Sequence, residues 1–125
     1  MTKLYQKLAS TIIAAHNCRQ SGNQEWLDKH CDTLVAIERT MLPRGSGIDA
    51  GCTINLERSN ESRIVIDCPY HTMDENGYYA GWRDYQIIIK AHLAFGFTVT
   101  VKGRDYNGLK DYLTNLFNHV LNEDV

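Results

Sequence analysis

CTINLERSNESRIVIDC, running from Cys52 to Cys68, decides how the rest of the chain is read. Within it Cys52, Ile54 and Leu56 alternate with Thr53, Asn55 and Glu57, and Ile64, Ile66 and Cys68 alternate with Arg63, Val65 and Asp67. A period of two belongs to a strand with one buried face, because successive side chains leave opposite sides of the backbone. The short SNE between the two halves suits a hairpin. The alternation returns in RDYQIIIKA, where Tyr85, Ile87 and Ile89 oppose Gln86, Ile88 and Lys90. It returns again in FTVTVK, where Phe97, Val99 and Val101 oppose Thr98, Thr100 and Lys102. Four strands are predicted, and their short connections make an antiparallel meander the simplest topology.

On either side of this region the period lengthens. Leu4, Leu8, Ile12 and Ala15 recur at three- and four-residue intervals, as one face of a helix requires. QSGN ends that helix; Ser21 and Gln24 have capping-box spacing, and Leu27, Cys31, Leu34, Val35 and Leu42 continue a second stripe up to Pro43. NGLKDYLTNLFNHVL carries Leu109, Tyr112, Leu113, Leu116, Phe117, Val120 and Leu121 at helical spacing, with Asp105 or Asn107 as its cap. The expected fold class is α+β. It is a two-layer single domain over residues 1–125, with a helical hairpin in 1–42 and a four-stranded antiparallel sheet plus C-terminal helix in 43–125, in the order ααββββα.

A chain of 125 residues with a formal charge of −2 can bury one core and has neither the basic excess of a general nucleic-acid binder nor the acidic excess of a DNA mimic. The apolar run near the N-terminus, Ile12 to Ala15, is too short for a signal sequence or a membrane span. Cys18, Cys31, Cys52 and Cys68 form no C-x-x-C pair, which points to reduced thiols, no zinc site and a cytoplasmic location. No cofactor is expected.

In a meander every second connection falls at the same end of the sheet. PRGSGIDAG, YHTMDENGYYAG and GRDYNG share that end, and all three are rich in turn-forming residues. Together they would assemble Arg44, Asp49, His71, Asp74, Glu75, Tyr78, Tyr79, Trp82, Lys102, Arg104 and Asp105 into a surface for a partner or ligand. Part of this composition is turn and cap chemistry, notably Asp74, Asn76 and Gly77 in the DENG turn, and Asp105 and Asn107 before the last helix.

Catalytic signatures are missing from the pattern. RGSGIDAG follows a helix and lacks the Gly-Lys-Ser/Thr ending of a phosphate loop. Cys68 and His71 make the one Cys/His pair worth naming, and the thiol falls on the apolar side. The opposite side of the predicted sheet, Thr53, Asn55, Arg63, Asp67, Gln86, Lys90, Thr98, Thr100 and Lys102 interrupted by Val65 and Ile88, lacks the aromatics of an RNA-binding sheet.

LPRGSGIDAG, HTMDENGYYAGW and GRDYNGLKDYL together resemble a pattern found in small uncharacterised proteins of phages and other mobile elements, over residues 42–113. The resemblance implies an accessory or counter-defence protein of the inhibitor type. The expected function is accordingly non-enzymatic binding of a protein partner, with Arg44, Tyr78, Tyr79, Trp82 and Arg104 as contacts. The alternative is a protein that binds a small anionic molecule or nucleotide, or a minor hydrolase, using Asp49, His71, Asp74, Asp105 and Arg104. Homodimerisation through the sheet face or an edge strand is a further option, whereas a membrane or nucleic-acid partner is not expected.

Overall fold

The computed structural model describes residues 3–41, 52–73, 75–92, 96–105 and 108–122, and within these leaves out the side chains of residues 40, 41, 71–73, 82 and 83. Helix α1 (Lys3–Ser21) and helix α2 (Gln24–Met41) form the N-terminal hairpin. Strands β1 (Thr53–Ile54), β2 (Arg63–Met73), β3 (Tyr79–His92) and β4 (Gly96–Lys102) follow, then helix α3 (Leu109–Asn122). The sheet is an antiparallel meander in the order β1-β2-β3-β4. This is the expected two-layer α+β architecture.

The core lies between the helices and one face of the sheet. Cys52, Ile54, Ile64, Ile66, Cys68, Tyr85, Ile87, Ile89, Val99 and Val101 meet Tyr5, Leu8 and Ile12 of α1, Leu34 and Ile37 of α2, and Leu113, Phe117, Val120 and Leu121 of α3. Each fully buried aliphatic or aromatic side chain contributes about 1.5–3 kcal/mol of transfer free energy. The Tyr5 ring stacks on Phe97 with centroids 5.9 Å apart, which ties the start of α1 to the start of β4.

Local details depart from the sequence reading. Between α1 and α2 the cap is Asn23 rather than Ser21, since α1 continues through Ser21 and the Asn23 side chain accepts the Trp26 amide at 3.2 Å. The Asn23 amide donates back to the Cys18 carbonyl at 2.9 Å and closes the end of α1. On α2 the buried stripe uses Ile37 where Val35 was expected, and Val35 is exposed. Tyr112 of α3 is likewise exposed.

Strand β1 is shorter than the alternation of CTINLE suggested. Asn55 still donates its amide to the Val65 carbonyl at 2.8 Å, but its side chain accepts the Arg58 amide at 3.1 Å and turns the chain away. Asparagine offers the backbone a local partner that competes with the ladder. A second such turn follows, where the Asn60 side chain accepts the Ser62 amide at 2.9 Å. The remaining edge of β1 is covered from α2, because the Ile54 amide donates to Glu38 Oε1 at 2.6 Å.

Candidate functional site

One row of the sheet marks where the outer strands stop. Thr53 pairs with Asp67, Asp67 with Gln86, and Gln86 with Lys102. Beyond this row β2 and β3 continue together, from Cys68 opposite Tyr85 to Met73 opposite Tyr79. The six residues of β2 past the row carry a two-stranded ribbon about 20 Å beyond the described ends of β1 and β4.

The sequence provides for such an arm. Pro69 lies two residues past Asp67 and pairs with Asp84 of β3, and it has no N–H to donate to a further strand. Between the pairs His71–Trp82 and Met73–Tyr79, Ala80 and Gly81 oppose Thr72 alone. This is a β-bulge, and Gly81 adopts the positive φ of 89° that it needs. A bulge increases the local twist, so the tip is turned relative to the sheet below.

At the base of the arm, the Tyr70 ring meets Tyr112 of α3 edge-on with centroids 6.4 Å apart. Tyr85 is buried and donates its hydroxyl to the Arg104 carbonyl at 3.0 Å. Gly103 has a φ of 145°, and a Cβ there would lie 2.7 Å from Tyr85 Cδ1 and 3.0 Å from the Asp84 carbonyl oxygen. The segment after β4 is thereby clamped against the root of the ribbon.

The candidate residues from the sequence divide by this geometry. Glu75, Tyr78 and Tyr79 are exposed at the tip, the two tyrosines at 72% and 63% of their full accessibility. Lys102, Arg104 and Asp105 are exposed at the base. The two groups share one end of the sheet but stand the length of the ribbon apart. Asp105 takes part in helix capping, its carboxylate accepting the Lys110 amide in the first turn of α3 at 3.2 Å. His71 and Trp82 are backbone partners whose side chains lie outside the described set, and Arg44, Asp49 and Asp74 lie outside the described residues altogether.

The outward face of the sheet is more organised than alternation alone implies. Asp67 accepts the side-chain amides of Asn55 and Gln86, each at 3.1 Å, and Arg58 donates to Gln86 Oε1 at 2.7 Å. Arg58 thus joins the turn after β1 to Gln86 of β3, whose Cα partner on β2 is Asp67. Val65 and Ile88, partners on this outward face, are buried at 0% and 5% exposure. The polar chain thus roofs a small second apolar layer.

Sequence reasoning passed over the far end of the sheet. There Asn60, Ser62, Arg63, Lys90, Ala91 and His92 line a groove of about 410 Å³. A neighbouring recess of about 390 Å³ lies between Ile13, His16, Asn17 and Gln20 of α1 and the 57–61 turn. His16 Nε2 donates to the Ser59 carbonyl at 2.8 Å and fixes that turn to the helix. The available signal was the outward placement of Arg63 and Lys90 on successive strands.

Ionisation is disfavoured at the two buried thiols, Cys52 and Cys68. Burial pushes Cys52 up to about 11, with the Glu38 carboxylate adding in the same direction, and burial pushes Cys68 up to about 12. Neither is a thiolate at neutral pH, so Cys68 does not supply a nucleophile for His71 to activate. Among the described residues no three His, Cys, Asp or Glu side chains converge as a metal-holding group, and no helix is long and apolar enough to cross a membrane. No protein-family model, curated protein or solved structure matches the chain.

Proposed function

We propose that this protein is a non-enzymatic binding protein that occupies a protein partner through the tip of the β2–β3 arm. The observation that carries the reading is the pair of exposed tyrosines, Tyr78 and Tyr79, at the end of a ribbon that outreaches its described neighbours. Tyrosine suits this task because it offers a large amphipathic contact at little cost in side-chain entropy. The β2–β3 strand pair carries it past the described ends of β1 and β4. The tip carries Glu75 and no described cation, and this favours a protein over a nucleic-acid backbone. Steric occupancy of this kind is how an inhibitor-type accessory protein of a phage or other mobile element would act.

Affinity capture from cells of the source, using wild type and Tyr78→Ala/Tyr79→Ala, tests the proposal. Both tyrosines are exposed, so the variant should melt with wild type. Loss of a captured partner, corresponding to at least about 2 kcal/mol for a true hot spot, is the expected result. Single alanine substitutions at Arg44, Trp82 and Arg104 then measure how far the contact extends from the tip. Retention of the same partner by the folded double variant would contradict the assignment.

A further inference from the structure

Far from the arm, the sheet holds two cations where a strand pair ordinarily avoids them. Arg63 and Lys90 are Cα partners across β2 and β3, so their side chains leave the same outward face from backbones about 5 Å apart. Like charges directly opposite one another are destabilising. No carboxylate among the described residues lies within ion-pairing distance of either, and none lines the groove that they share with Asn60, Ser62, Ala91 and His92, although Arg63 also borders the neighbouring recess together with Glu57 and Glu61.

The groove is also built in advance. The Asn60 amide donates to the Arg63 carbonyl at 2.8 Å, and the Ala91 amide donates to the Ser62 carbonyl at 3.1 Å. Asn60 Oδ1 accepts the Ser62 amide and hydroxyl at 2.9 and 3.0 Å, which locks the turn. Arg63 Nη2 donates to the Arg58 carbonyl at 3.1 Å, orienting the guanidinium, while Arg63 Nε is buried with no hydrogen-bond partner among the described residues. On the far wall, His92 Nε2 and Thr98 Oγ1 share a hydrogen bond of 2.7 Å.

We infer that this groove is an anion site for a phosphoryl group, held between Arg63 and Lys90. A planar guanidinium and a compact ammonium on facing strands suit the several oxygens of a tetrahedral dianion better than a single carboxylate. The ligand would relieve the repulsion that the pairing imposes. His92 lines the same groove, so a phosphate monoester with the His92 ring beside its substituent is the favoured form. Inorganic phosphate presents the same chemistry.

Titration of the ¹⁵N-labelled full chain with inorganic phosphate and with adenosine monophosphate, at constant ionic strength, tests the site. Saturable shifts with one Kd at the amides of Asn60, Ser62, Arg63, Ala91 and His92 are expected. Tighter binding of the ester assigns the monoester, and equal affinity assigns free phosphate. Lys90→Glu should weaken binding by at least about tenfold. Without ligand it should melt no lower than wild type, because the like-charge pair becomes an opposite one. Lys90→Gln should weaken binding by a smaller factor. The proposal is overturned by an absence of saturable shifts in the groove at up to about 10 mM ligand, or by shifts that survive unchanged in both variants.

Discussion

Gly103 is the residue at which backbone and core constrain each other most. Its φ of 145° and the 2.7 Å approach of Tyr85 to a notional Cβ leave room for no other side chain. Gly103→Ala must either move the buried Tyr85 ring or break its hydrogen bond to the Arg104 carbonyl, and should cost about 2 kcal/mol or more in urea denaturation. The buried thiols make a second prediction at this scale. Their folded pKa values of about 11 and about 12 stand above the ordinary 9.0. Below pH 9 both states keep the protons, and the thiols leave stability independent of pH. Above it the unfolded chain ionises first, so stability falls with a slope of up to about 1.4 kcal/mol per pH unit per thiol until the folded thiols titrate. Urea midpoints at neutral and alkaline pH should show this drop, and Cys52→Ala/Cys68→Ala should reduce it.

At the scale of elements, the root of the β2–β3 ribbon is the part that the described core uses. The described core draws on the arm no further out than Tyr70, which packs on the core's edge. Replacing residues 71–82 by a two-residue Asn-Gly turn between the paired Tyr70 and Arg83 should leave the melting temperature within a few degrees and abolish partner capture. Period and turn chemistry made the strands legible in advance: Ile64, Ile66, Ile87 and Ile89 face the core as their alternation requires. Strand lengths were not legible. β1 ends at Ile54 because the Asn55 side chain satisfies the turn, and β2 runs on past Pro69 in continued pairing with β3, from Pro69 opposite Asp84 to Met73 opposite Tyr79. Neither outcome follows from hydrophobic pattern, since each depends on which backbone groups already have partners.

Across the whole molecule, helices cover one sheet face and a hydrogen-bonded polar chain covers part of the other, leaving the arm at one end and the paired cations at the opposite end. The shared end of the three polar connections could be read from topology, but the distance between tip and base could not. It is set by how far β2 and β3 continue past the Asp67–Gln86 row. Val65 and Ile88 read as interruptions of a polar surface, and their burial on that face could not be read from the alternation. In the proposed function a protein partner is met at the tip of the arm. The measurement that tests it most directly is photo-crosslinking from position 79 compared with position 29 on the exposed side of α2, each in otherwise wild-type protein at matched melting temperature. A partner crosslinked from position 79 and not from position 29 is the predicted result. Equal crosslinking from both positions, or crosslinking from position 29 alone, would contradict the account.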